Sequence, residues 1–194
     1  VRKVKEQLDK GILVRQQNLN PEELIALKPL NLLTIKPGIY VFNVSEQQLQ
    51  NQEETKKRII EILKRVQVDK TTSYLFFCAK LESDIVALDP ADQKEYLKQY
   101  CLEETGLNRL IKKSYETLGL ISFLTAGTLE ARAWTIKKGT LALQAAGTIH
   151  TDFEKKFIKA DIIPYLKFVE VGGWVKAREQ GLVQTVGKDY EMKD

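Results

Sequence analysis

Hydrophobic and polar positions alternate along this chain in two distinct rhythms. In Val1 to Lys10, apolar Val1, Val4 and Leu8 fall at helical spacing between charges, and Gly11 follows as a C-cap. Asn20-Pro21-Glu22-Glu23 is a helix start, with a capping Asn, Pro in the first turn and acids near the positive end of the dipole. That second helix carries Leu24, Ile25 and Leu27 and stops before Pro29, so the two read as a helical hairpin. The rhythm then breaks. Ile39-Tyr40-Val41-Phe42 is an unbroken apolar run, as in a strand of a parallel sheet buried on both faces, and it stops at the polar loop Asn43-Val44-Ser45-Glu46. Asn51 to Val66 returns to helical spacing with Ile59, Ile60, Ile62, Leu63 and Val66 inward, while Lys56, Lys57, Arg58 and Lys64 form a solvated face. Tyr74 to Cys78 is a second buried strand, and strand, helix, strand predicts a parallel βαβ unit.

Helices are predicted over Leu81 to Leu88, Ala91 to Tyr100 and Leu107 to Leu118, with Asp89-Pro90 as a start signal and Gly119 as a boundary. Beyond it the pattern is of shorter pieces. Leu120 to Thr125 and Glu130 to Ile136 read as strands joined through residues 126–129, and Lys137-Lys138-Gly139 as a turn. Leu141 to Ile149 is helix-capable, Phe153 to Ile163 reads as a return to strand, short helical pieces flank Gly172-Gly173 and Gly181, and Val183 to Tyr190 reads as a hairpin. Short strands around a helical piece suit a small α+β domain.

Composition adds little to this picture. The 194 residues are 43% hydrophobic and 29% charged, which is globular and long enough to bury a core. The net charge of +4 is divided evenly about Gly119, a balance that permits contact with RNA or phosphate without arguing for it. No apolar run approaches the roughly 20 residues that span a bilayer, and no signal peptide is visible. Cys78 and Cys101 have no metal-like spacing and read as reduced thiols of a cytoplasmic protein.

Candidate chemistry sits at the ends of the two apolar runs. Ligands of open α/β sheets bind just beyond the carboxyl ends of the strands. A parallel pairing brings Asn43 to Glu46 and Cys78-Ala79-Lys80 to one edge. Turn chemistry alone also accounts for Asn43 and Ser45. A phosphate loop needs G-x-x-x-x-G-K-[ST], and the nearest string, Gly181 to Asp189, has one residue too many and Asp where a hydroxyl is required. His150, the one histidine, reads as structural, and Trp134 and Trp174 as core or half-buried aromatics. Lys137, Lys138, Lys155, Lys156 and Lys159 are a possible basic face or an ordinary solvated surface.

Several strings, in order, resemble one family. Leu33-Thr34-Ile35-Lys36-Pro37 followed by Tyr40 to Glu46 is similar to the base-recognition region of the YchF, or Obg-like, ATPases, P-loop NTPases of the translation-factor class. Cys78-Ala79-Lys80-Leu81-Glu82 resembles their next base-contact segment, usually Ser-Ala-Lys. Phe123 to Gly127, Arg132 to Ile136, Gln144 to Gly147 and Ile149 to Glu154 resemble their C-terminal TGS domain, a ubiquitin-like β-grasp module.

The resemblance implies an α/β plus α+β chain with three parts. Residues 1–30 would end a helical, coiled-coil insertion. Residues 31–118 would be the C-terminal part of a nucleotide-binding domain with a partial parallel sheet, and 119–194 a TGS domain lacking its last strand. It implies nucleotide binding by Asn43, Val44, Glu46, Cys78, Ala79 and Lys80, with Asn43 on the base edge, Val44 packed on the base, Glu46 shaping the loop or meeting an exocyclic amine, and backbone N–H groups of Cys78 to Lys80 with the Lys stem completing the wall. Guanine offers two N–H donors that an Asp carboxylate accepts together. Adenine offers an acceptor and a donor, and a carboxylate is acceptor-only. With Glu46 and Val44 where GTPases carry Asp and Lys, preference for ATP over GTP is expected, and a GTPase is disfavoured. The full protein is expected to hydrolyse ATP with Mg2+ and to associate with the ribosome or ribosomal RNA, not with DNA or a membrane. In the family the phosphate loop lies upstream of the position of Val1, so this piece alone is expected to be inactive as an ATPase. The alternative is a stand-alone TGS module that binds RNA or protein.

Overall fold

Strand, helix and strand do pair in parallel. The computed structural model describes residues 1–65, 73–127 and 130–194, which fall into two compact units, Val1–Thr117 and Leu118–Asp194. In the first, α1 (Arg2–Asp9) and α2 (Pro21–Leu27) are joined through a 3-10 turn at Val14–Gln16. Asn20 caps α2 reciprocally: its Oδ1 accepts from Glu23 N at 2.8 Å, and Glu23 Oε2 accepts from Asn20 N at 2.9 Å. Val4, Val14 and Leu27 bury a small core between these turns.

β1 (Ile39–Asn43) and β2 (Ser73–Phe77) form a two-stranded parallel sheet in which Ile39 pairs with Ser73 and Asn43 with Phe77. Between them run α3 (Glu46–Gln50) and α4 (Gln52–Arg65). After β2 come α5 (Ala79–Val86), α6 (Pro90–Gln99) and α7 (Gly106–Leu118). Asp89 Oδ1 accepts from Ala91 N and Asp92 N, so the Asp-Pro signal caps α6 as its chemistry predicts. The main core lies among these helices and the strand ends, built from Val44, Leu49, Ile59, Cys78, Leu81, Ile85, Leu97 and Leu102.

The second unit pairs β3 (Leu120–Ala126) with β4 (Ala131–Lys137) antiparallel and packs α8 (Ala142–Ile149) on them through Ile121, Ile136 and Ala145. α9 (Thr151–Lys155), β5 (Ala160–Ile162), α10 (Tyr165–Val171), α11 (Trp174–Glu179) and β6 (Gln184–Val186) follow, with β5 and β6 antiparallel. Trp174 Nε1 donates to Ala126 O at 3.0 Å, and Trp134 Nε1 to Thr125 Oγ1 at 2.9 Å, so each half-buried indole has its partner.

Four expectations change. β1 is not buried on both faces: Tyr40 and Val41 are 40% and 44% exposed, because among the described residues β2 is its one strand neighbour and no layer covers these side chains. Phe153 to Ile163 is strand only over Ala160–Ile162, since His150 caps a helical turn over Thr151–Lys155 by accepting from Asp152 N at its Nδ1. Val183 to Tyr190 is not a hairpin. β6 pairs with β5 across the unit, and Glu191 bridges to Leu141. The loop Asn43 to Glu46 is shorter than expected, because Ser45 opens α3. The predicted end of α4 at Val66 and the junction residues Thr128 and Leu129 lie outside the described residues.

Leu81 is fully buried at the centre of the main core. Leu81→Ala is expected to destabilise the first unit by about 3 kcal/mol in denaturant unfolding.

Candidate functional site

Parallel pairing decides where the two polar segments meet. The chain leaves β1 and β2 at the same end, and the pairing continues one step beyond the strands as Val44 N donates to Phe77 O at 2.8 Å. Asn43 then turns its side chain across the gap, and its Oδ1 accepts from Ala79 N at 3.1 Å. Ala79 opens α5, so its N–H has no partner within the helix and the Asn side chain satisfies it. On the β1 side Ser45 Oγ accepts from Gln48 N at 3.3 Å and Gln48 Oε1 accepts from Ser45 N at 2.9 Å, a capping box that starts α3 at Glu46. Two helix N-termini therefore stand side by side.

Each contributes one charged residue from its first turn. Lys80 Nζ lies 2.9 Å from Glu46 Oε1. Glu46 sits where a helix dipole favours an anion. Its hydrogen bond and charge hold the Lys80 ammonium above the usual lysine pKa. The Lys80 side chain is 75% exposed, so the pair fixes geometry more than it stabilises the fold.

Of the six residues expected at a ligand, Asn43, Glu46, Ala79 and Lys80 meet on this surface. Val44 and Cys78 turn away from it. At 8% and 3% exposure both side chains pack into the main core with Leu49 and Leu81, so Val44 does not lie free to cover a base, and the Cys78 thiol faces apolar side chains. The Ala79 N–H is spent on Asn43 and does not line an open wall. What Asn43 retains for a ligand is its amide donors and a second lone pair, and Glu46 retains its other oxygen. A donor beside an acceptor is the complement of a purine edge that presents a ring nitrogen and an exocyclic amine. No group of three or more His, Cys, Asp or Glu that could hold a metal ion occurs among the described residues.

Three neighbours were not singled out from the sequence. Tyr96 and Tyr100, one helical turn apart at the end of α6, pack on the same core with ring centroids 5.5 Å apart. Their i, i+4 spacing was the available signal. A hydrogen bond to Tyr96, burial and the Glu46 charge together push the Tyr100 phenol up to about 12. Glu82, in the first turn of α5, accepts from Gly106 N at 2.6 Å and Leu107 N at 3.2 Å and so caps α7. Nothing local in the sequence marks that contact, because its partners lie 24 and 25 residues away.

In the second unit His150 is a cap, as its structural reading implied. Lys137, Lys138, Lys155, Lys156 and Lys159 are all exposed. Gly181 to Lys188 runs through strand β6 and does not form the strand-to-helix loop that cradles phosphate.

Fold and site together define a mixed α/β protein in which two parallel strand tips, each leading into a helix, present an Asn and a Glu–Lys pair at one edge. Comparison with known proteins identifies the family. Residues 120–194 match the family model described as YchF-GTPase_C, protein of unknown function (DUF933). Proteins called ribosome-binding ATPase YchF are 39% identical over 188 residues in Escherichia coli O157:H7, covering 97% of this chain and 50% of that protein, and 36% identical over 192 residues in Bacillus subtilis, covering 99% and 52%. The structure of the Schizosaccharomyces pombe YchF GTPase superposes with a TM-score of 0.78 at 31% identity, over 99% of this chain and 50% of that one. The chain belongs to the YchF family and corresponds to the C-terminal part of its members. It spans about half the length of the curated relatives it matches.

The Tyr100 environment is directly measurable. A raised phenol pKa contributes stability that is whole below the ordinary tyrosine value near 10 and is lost as pH rises through about 12. Ultraviolet titration is expected to show a tyrosinate step near 12 that Tyr100→Phe removes.

Proposed function

We propose that this chain supplies the base-reading loops and the TGS-type unit of a ribosome-associated ATPase. Asn43 Nδ2 donates to a ring nitrogen of adenine. Glu46, held by Lys80, accepts from the exocyclic amine or shapes the loop, and the Lys80 stem forms one wall. Val44 and Cys78 act from beneath, as the packed floor that fixes the two strand tips. The observation that carries this reading is the bond between Asn43 and Ala79, which joins both segments at one edge. Adenine is preferred to guanine because Glu46 is one methylene longer than the Asp of GTPases and has one oxygen engaged by Lys80. ATP hydrolysis, its Mg2+, the phosphate loop and the helical insertion belong to the complete protein, as does work in the cytoplasm at the ribosome or ribosomal RNA, in keeping with the name of its relatives. Bound ATP would supply the phosphoryl group, while the residues here bind and orient its base.

The second unit, residues 118–194, is a β-grasp TGS module in this reading, and its exposed lysines are where RNA would be met. A stand-alone RNA- or protein-binding module is the second reading, favoured by the unit's separate compactness and by a family model confined to it. Calorimetric titration of the complete protein separates them. Binding of ATP more tightly than GTP, weakened about tenfold by Asn43→Ala, is expected of the ATPase reading. Tighter binding of GTP overturns the adenine assignment, and RNA binding without any nucleotide binding favours the module.

A further inference from the structure

Glu82 does more than close a helix end. It lies three residues beyond Ala79 in the first turn of α5, and both of its carboxylate oxygens are engaged, by Gly106 N at 2.6 Å and Leu107 N at 3.2 Å. The fit is close on all sides. A Cβ added at Gly106 would stand 2.8 Å from Glu82 Oε1 and 2.8 Å from Phe77 Cδ2. Phe77 is the last residue of β2 and pairs with Asn43. The start of α7 thus stands against both the last residue of β2 and the first turn of α5. Charge-assisted bonds from a carboxylate to free helix N–H groups are among the stronger hydrogen bonds a fold contains, and the helix dipole adds to them.

We propose that Glu82 is the positioning residue of the base-reading edge: by tying α5 to the N-terminus of α7 it holds the Ala79 amide where Asn43 Oδ1 can accept from it, and so aims the Asn43 amide donors outward. This rests on the reading of that edge as a purine site, but the positioning itself is measurable without a nucleotide.

The test is site-resolved amide hydrogen exchange on the whole chain. Glu82→Gln keeps the shape and removes the charge. It is expected to speed exchange about tenfold at Ala79 as well as at Gly106. Thr105→Ala is the control. It removes the other cap of α7, where Thr105 Oγ1 accepts from Asn108 N at 3.2 Å, without touching α5. It is expected to leave Ala79 protected. Should Glu82→Gln not fold, Glu82→Asp, which keeps the charge and withdraws the oxygens by one methylene, carries the same expectation. Wild-type protection at Ala79 in the Glu82 variant, or equal loss in both variants, overturns the proposal and leaves Glu82 a plain helix cap. Titration of the complete protein with ATP alongside separates the two ideas. A complete wild-type protein that ignores ATP defeats the purine reading while the exchange result still decides the positioning role. A complete protein that binds ATP equally well with Ala79 loosened defeats the link between that positioning and the base.

Discussion

The hydrogen bond between Asn43 and Ala79 depends on the strands running in the same direction. Had β1 and β2 paired antiparallel, Asn43 and Ala79 would lie at opposite edges of the sheet. Parallel pairing sets Asn43 opposite Phe77, so the next residues on each chain turn off at one level. A helix N-terminus arriving there brings N–H groups that need acceptors, and a short amide side chain from the neighbouring strand is the acceptor within reach. The pairing, the helix start and the Asn together make a rigid corner out of two loops.

That corner rests on a hydrophobic floor. Val44 and Cys78 are the residues immediately after Asn43 and Phe77, and both point down, into the same cluster as Leu49 and Leu81. Their burial holds the polar residues on either side of them up at the surface. Glu46 and Lys80 are then placed by the helices they begin, and their ion pair orients two long side chains that solvent would otherwise leave free. The second unit has its own smaller core of Ile121, Ile136 and Ala145.

Local chemistry made much of this legible in the chain alone. The Asn20 capping box, the Asp89-Pro90 start of α6 and the β1–α4–β2 alternation are written in neighbouring residues, and so is the resemblance carried by Asn43 to Glu46. The capping box at Ser45 and Gln48 is equally local, but the polar run of Asn43 to Glu46 conceals the helix start. Other features depended on partners far along the chain. An apolar run such as Ile39 to Phe42 specifies a strand but not how many layers cover it, so Tyr40 and Val41 stand exposed where the run alone predicts burial. β6 found β5 and not its own neighbour, because strand pairing is decided by which edges are close in space. Whether Val44 faces a ligand or a core, and whether Glu82 faces solvent or the start of α7, depends on a strand direction and a helix 24 residues away, and only the folded chain brings those together.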